Sequence, residues 1–176
     1  MVFAEEVFGG SVPKNFFPAV EKGLREACVH GPLAGYPVVN LKAVLYDGSY
    51  HPVDSSEIAF KTAAQLAYKA AMPEANPVLL EPVGELKVVV PDSYMGDVIG
   101  DLNKRRGRVM GMNPTGDGEQ EIEAEVPMAE MTSYAIDLRA MTQSRGSYTF
   151  HFVRYEDCPP AAQEKAIAAA KALADE

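Results

Sequence analysis

The sequence predicts an α+β protein built from two units and a C-terminal helix. Three observations carry that prediction. Apolar residues recur at helical spacing in some stretches and alternate with a period of two in others. Prolines cluster at Pro73, Pro77 and Pro82, and again at Pro159 and Pro160, which marks two breaks in the chain. The length of 176 residues, with 47% hydrophobic and 23% charged side chains, suits a folded chain of one or two domains. The breaks set the expected boundaries at residues 1–78, 79–158 and 159–176.

The first unit opens with an extended run from Val2 to Phe8, closed by Gly9 and Gly10. A helix is expected next, with Asn15 as N-cap and Pro18 in the first turn. Phe17, Val20, Leu24 and Ala27 fall on one face, and Gly31 is the expected stop. Val38 to Tyr46 reads as a strand, and Asp47-Gly48 as a turn. Asp54-Ser55-Ser56-Glu57 resembles a capping box with Asp in the cap position. Phe60, Ala63, Ala64 and Ala67 give the following helix a small-residue face suited to packing on a sheet.

The second unit has the stronger pattern. Leu86, Val88 and Val90 alternate as one face of a strand, and Asp92 is the expected cap of a helix with Met95, Val98, Ile99 and Leu102 inward. Gly107 is expected to end it. Arg108–Asn113 and Glu119–Val126 read as strands joined through Thr115-Gly116-Asp117-Gly118, a hairpin signal. A helix from about Met128 to Gln143, with Met131, Ala135 and Leu138 inward, precedes a last strand from Ser147 to Tyr155. The order β-α-β-β-α-β is that of a ferredoxin-like domain. The alanine-rich tail after Pro160 reads as a helix packing across the two domains.

Charge narrows the function classes. The net charge of −9 argues against nucleic-acid binding driven by net charge alone, and no DNA partner is expected. No apolar run approaches the roughly 20 residues that a bilayer requires. No basic-then-apolar leader opens the chain, so a cytoplasmic protein with no membrane partner is expected. Cys28 and Cys158 have neither metal-ligand nor disulfide-framework spacing.

Within residues 79–158, 8 basic side chains face 14 acidic ones. Right-handed crossovers are expected to put both helices on one face of the sheet. If each helix follows one of two central parallel strands, their C-termini share a pole. That pole would carry Lys104, Arg105, Arg106 and Arg108 beside Arg139 and Arg145. Cations near helix C-termini also complement the macrodipole, at about 0.3–1 kcal/mol each. Composition therefore leaves dipole compensation and a phosphate-binding edge both open. Glu119, Glu121, Glu123 and Glu125 are expected on the opposite face, where they would repel phosphate.

Catalytic patterns are weak. Gly9-Gly10-Ser11-Val12-Pro13 lacks the lysine and the spacing of a P-loop. His51 with Asp54, Ser55 and Ser56 suggests a hydrolase only superficially, since the latter three are better explained as helix caps. The loop from Tyr46 to Pro52 stands out, because Ser49, Tyr50, His51 and Pro52 follow a glycine between a strand end and a helix start. Such a loop can stack on bases or bond to phosphate, and it can equally be a solvated connection. An enzyme using His51 and a metabolite-sensing regulatory ferredoxin-like protein are the other classes these residues allow.

Several strings resemble a known family. Gly-Gly-Ser-Val-Pro at 9–13, Ala-Gly-Tyr-Pro-Val-Val at 34–39, Leu-Tyr-Asp-Gly-Ser-Tyr-His at 45–51 and Val-Asp-Ser-Ser-Glu at 53–57 are similar to domain IV of bacterial elongation factor G. Asn-Pro-Val-Leu-Leu-Glu-Pro at 76–82, Tyr-Met-Gly-Asp-Val-Ile-Gly-Asp-Leu-Asn at 94–103 and Leu-Arg-Ala-Met-Thr-Gln-Ser-Arg-Gly at 138–146 resemble its domain V. The resemblance implies a C-terminal fragment of a translational GTPase: an incomplete βαβ unit like domain 2 of ribosomal protein S5, then the ferredoxin-like domain.

Its implied partner is the ribosome, meaning rRNA of both subunits and the tRNA–mRNA duplex, met by a monomer. His51 would match the family's tip histidine. Arg139, Thr142, Gln143 and Arg145 would match a segment near the sarcin–ricin loop. The opening of domain IV and the nucleotide-binding domain are missing from these residues. GTP and magnesium would therefore belong to the parent, and no cofactor or enzymatic activity is expected of the chain itself. Pro52, Ala140 and Ser144 depart from the commonest family residues, which leaves a specialised paralogue, such as a ribosome-recycling factor, open.

Overall fold

The computed structural model describes residues 1–175. Eleven strands and helices form two compact units, Met1–Leu79 with the segment from Pro159 onward, and Leu80–Cys158. In the first unit, β1 (Val2–Glu5) pairs in parallel with β2 (Lys42–Leu45), in a register that sets Val2 against Lys42 and Glu5 against Leu45. The strand expected from Val38 begins only at Lys42, because Asn40 adopts a left-handed φ of 57° and breaks the extension.

Two helices complete this unit, α1 (Phe17–Ala27) in the connection from β1 to β2 and α2 (Glu57–Ala71) after β2. Glycine is required at position 23, since a Cβ there would sit 2.5 Å from the Lys61 carbonyl oxygen of α2. The close partner of α2 is therefore α1. Its buried face runs through Ala64 and Tyr68, whereas Ala63 and Ala67 of the expected sheet-facing stripe are exposed. Cys28, Tyr68 and Met72 form a small core with Leu24, Val38 and Leu41 around them. The last helix, α5 (Pro160–Ala174), is tied into this unit where the Leu79 N–H donates to Gln163 Oε1 at 3.1 Å.

The second unit contains β3 (Leu80–Pro91), α3 (Met95–Lys104), β4 (Arg108–Gly116), β5 (Glu119–Pro127), α4 (Tyr134–Thr142) and β6 (Ser147–Asp157). The sheet order is β4-β5-β3-β6, with all three pairings antiparallel. Asp117 and Gly118, with φ of 54° and 76°, make the turn between β4 and β5, as the Asp-Gly signal predicts. Leu86, Val88, Val90, Ile122, Ala124 and Val126 point to one side, where Val98, Leu102, Tyr134 and Leu138 cover them. Every one of these ten side chains is 0–1% exposed.

Helix entry differs from the expectation. Neither Asn15 nor Asp92 caps a helix. Instead Pro13, Pro91 and Pro127, each extended, lead into 3-10 turns at Lys14–Phe16, Asp92–Tyr94 and Met128–Glu130. The fixed φ of proline directs the chain into these turns and makes a side-chain cap unnecessary. The break before Tyr134 also resets the phase of α4. Tyr134, Leu138 and Thr142 face inward, and Ala135 is exposed.

The largest correction concerns helix direction. β3 and β5 are antiparallel, with Val83 opposite Pro127 and Pro91 opposite Glu119. The hairpin between the two crossovers reverses the second one, so α3 and α4 run antiparallel. The C-terminus of α3 lies beside the N-terminus of α4, where Arg105 bonds to Glu130 and Asp137. The C-terminus of α4 lies at the other end of the sheet, where Ser147 begins β6 opposite Val89. The expected single basic edge does not form.

Candidate nucleic-acid interface

The loop between β2 and α2 is built from its contacts inward. No helix or strand occurs between Leu45 and Glu57. At its start the Gly48 N–H donates to Asp47 Oδ1 at 2.8 Å. A Cβ at Gly48 would lie 2.5 Å from Val12 Cγ2, so only glycine lets this loop close against the segment after Gly10. Tyr50 does not stand free. Its ring lies 5.8 Å from Phe16, which stacks on Phe60 of α2 at 4.5 Å. Tyr46 is the freely exposed aromatic of the loop.

His51 is held by its backbone. Its N–H donates to Ser55 Oγ at 2.9 Å, and the Ser55 N–H donates back to the His51 carbonyl at 2.9 Å. Ser56, not Asp54, caps α2 by accepting the Ala59 N–H at 3.1 Å. The two serines therefore divide the work: Ser55 closes the loop and Ser56 starts the helix. Ser49, His51 and Pro52 all remain exposed, and no hydrogen bond from the His51 imidazole occurs among the described residues.

The arginines after α3 are engaged internally. Arg105 is 11% exposed and bonds to Asp101 at 2.8 Å, to the Glu130 carbonyl at 2.6 Å and to Asp137, with the Tyr134 ring 5.0 Å away. Arg106 grips both Glu81 oxygens at 2.8 and 2.9 Å and reaches Glu130 at 3.2 Å. Arg108 joins Glu125 at 2.9 Å and Glu156 at 3.0 Å, and Arg154 grips the same two carboxylates. Such forked pairs are geometrically specific. Hydrogen bonds from Arg154 hold the Glu125 and Glu156 carboxyls below the usual carboxylate range. The Ser133 hydroxyl, then Arg105, does the same for Asp137. Lys104 alone of the four cations has no carboxylate partner among the described residues.

Pairing also changes the open face of the sheet. Glu125 is neutralised by Arg154 and Arg108, and Glu123 lies 3.4 Å from Lys87. A groove of about 490 Å³ between α3 and α4 is lined by Asp97, Asp101 and Asp137 with Lys104. Its excess of carboxylates disfavours an anionic ligand.

The end of α4 has the opposite character. Arg139 and Arg145 are exposed and make no ion pair among the described residues. Gln143 and Ser144 are both left-handed, with φ of 52° and 65°. Neither is glycine, and such conformations cost on the order of 1–3 kcal/mol each and persist only where the surrounding structure imposes them. Thr142, expected at an RNA-facing surface, is 0% exposed and its hydroxyl is used internally. Helical spacing from Leu138 already puts Thr142 on the inward face; its assignment to an RNA-facing surface came from the family resemblance of residues 138–146, which says nothing of burial. Among the described residues, no group of three or more His, Cys, Asp or Glu side chains is placed to hold a metal ion. No helix there is long and apolar enough to cross a membrane.

Comparison with known proteins agrees with this architecture. The family described as elongation factor G, domain IV, matches residues 1–76, and the family described as elongation factor G C-terminus matches residues 78–166. A crystal structure of a protein from Thermus thermophilus is 44% identical over 97% of this chain, with a TM-score of 0.81. The chain spans 26% of that protein's chain.

Proposed function

The chain belongs to the elongation factor G family, and on that premise we propose that it is a ribosome-engaging module promoting tRNA–mRNA translocation within a longer GTPase. The observation that carries the proposal is the exposed loop at Ser49–Pro52, whose His51 backbone is clasped by Ser55 while its imidazole stays free. A rigid loop with a free imidazole suits a steric and positional task beside a tRNA–mRNA helix. No bond-making chemistry falls to these residues.

The second contact is with large-subunit rRNA near the sarcin–ricin loop. Arg139 and Arg145 with Gln143 make it, since the cations of Arg105, Arg106 and Arg108 are spent on internal carboxylates. GTP and magnesium belong to the nucleotide-binding domain of the parent, whose hydrolysis would bias the motion. The module acts as a cytoplasmic monomer. A ribosome-recycling paralogue is the second reading, favoured by the departures at Pro52, Ala140 and Ser144.

His51→Ala in the parent tests the first contact. Translocation should slow by at least about tenfold, or ~1.4 kcal/mol of barrier, while ribosome-stimulated GTPase activity survives. A parallel fall in both activities would refute the tip role. For the second contact, Arg139→Glu with Arg145→Glu should weaken ribosome binding most at low salt. Salt-independent weakening, or none, would count against it.

A further inference from the structure

Apart from Tyr134, Thr142 is the one fully buried side chain with a polar group among the described residues. A buried hydroxyl persists when its hydrogen-bonding capacity is used. This one is used twice. It donates to the Leu138 carbonyl at 2.7 Å and accepts the Gly146 N–H at 3.0 Å. The first bond is common for a helical threonine. The second is not, because it reaches past the helix end and across the turn formed by Gln143, Ser144 and Arg145.

That turn holds two consecutive left-handed residues, and three hydrogen bonds clamp it to the last turn of α4. The Ser144 N–H donates to the Arg139 carbonyl at 2.9 Å, the Arg145 N–H to the Thr142 carbonyl at 3.0 Å, and the Gly146 N–H to Thr142 Oγ1. The fit around the hydroxyl is close. A Cβ at Gly146 would stand 3.0 Å from Thr142 Oγ1 and 3.1 Å from Leu138 Cγ. Arg139 and Arg145, the unpaired cations, sit at the two ends of this clamped segment.

We infer that Thr142 is a positioning residue for a phosphate contact made by Arg139 and Arg145. Its hydroxyl pins the turn and so fixes the separation of the two arginine backbones. Two guanidinium groups held at a set spacing lose less freedom on binding than the same charges on a loose turn. The inference rests on the ribosomal reading above, and it adds that geometry as well as charge sets affinity at this end of the sheet.

The test compares the 176-residue chain with Thr142→Val, which keeps the side-chain shape and the net charge, and Thr142→Ser, which keeps the hydroxyl. Two quantities are measured: exchange of the Gly146 amide, and binding to 70S ribosomes at fixed low salt. Thr142→Val should speed Gly146 exchange and weaken ribosome binding, each by about tenfold, at a temperature where circular dichroism shows the fold intact. Thr142→Ser should restore both to within about twofold of the unaltered chain. Unchanged exchange in Thr142→Val would show that the hydroxyl does not hold the turn, and would overturn the inference. Faster exchange with undiminished binding would overturn the positioning role. If the unaltered chain fails to bind ribosomes, the ribosomal reading falls, and the RNA-positioning role falls with it. Gly146 exchange would then still decide whether the hydroxyl holds the turn.

Discussion

Ser144 and Arg106 both adopt a left-handed φ just past a helix C-terminus, at 65° and 58°, yet substitution by glycine should act in opposite directions. Glycine relieves the left-handed penalty of roughly 1–2 kcal/mol but raises unfolded-chain entropy by part of that amount. Ser144 is exposed and its side chain makes no hydrogen bond among the described residues. Ser144→Gly should therefore stabilise the fold by about 1 kcal/mol in urea titration. Arg106 closes a Schellman turn, with the Gly107 N–H on the Leu102 carbonyl at 2.8 Å and the Arg106 N–H on Asn103 at 3.3 Å. Its guanidinium also satisfies Glu81, whose side chain is only 12% exposed. Arg106→Gly strands that carboxylate and should cost about 2 kcal/mol despite the backbone relief. A stabilised Arg106→Gly would show that the ion pair contributes less than the strain it accompanies.

At the scale of elements, the strand pattern and the hairpin turn were legible, and helix direction was implied by them although the expectation had it reversed. Leu86, Val88 and Val90 alternate in the sequence and face the core in the fold. Asp117-Gly118 demands an αL pair and receives it. With β3 and β4 parallel across a crossover, the hairpin at Thr115–Gly118 makes β5 antiparallel to β3 and so reverses α4; the expectation of two parallel central strands overlooked this step. The ion pairs were hidden for a different reason. Arg106 lies 25 residues from Glu81, and Arg154 lies 29 from Glu125, so neither contact has a local signature.

The second of these pairs makes a prediction. Glu125 and Glu156 have depressed pKa values in the folded state, with hydrogen bonds from Arg154 the main cause. Their contribution to stability is therefore complete above the usual carboxylate range of about pH 4.3 and is lost as pH falls through the folded values. The difference between urea midpoints at pH 6 and pH 3 should narrow in Arg154→Met. An equal difference would mean that the network does not drive acid destabilisation.

At the scale of the molecule, the two units differ in how completely they exclude water. The core of the second unit joins four strands and two helices, and its ten buried side chains are sealed to 0–1% exposure. The first unit rests on two parallel strands of four residues each and a small cluster in which Cys28, Tyr68 and Met72 keep 6–7%. Short two-stranded ladders contribute little stability of their own. Backbone amides of Val2–Glu5 and Lys42–Leu45 should therefore exchange faster than those of Leu86–Val90 and Ile122–Val126. The same inequality predicts how a core lesion is felt. Leu102→Ala removes a fully buried side chain of α3 and should cost the second unit about 3 kcal/mol. Exchange from its strands should accelerate accordingly, while exchange from the first unit stays near its original rate. Equal acceleration everywhere would show that the chain opens as one cooperative block, with the thin ladder of the first unit protected by something other than its own core.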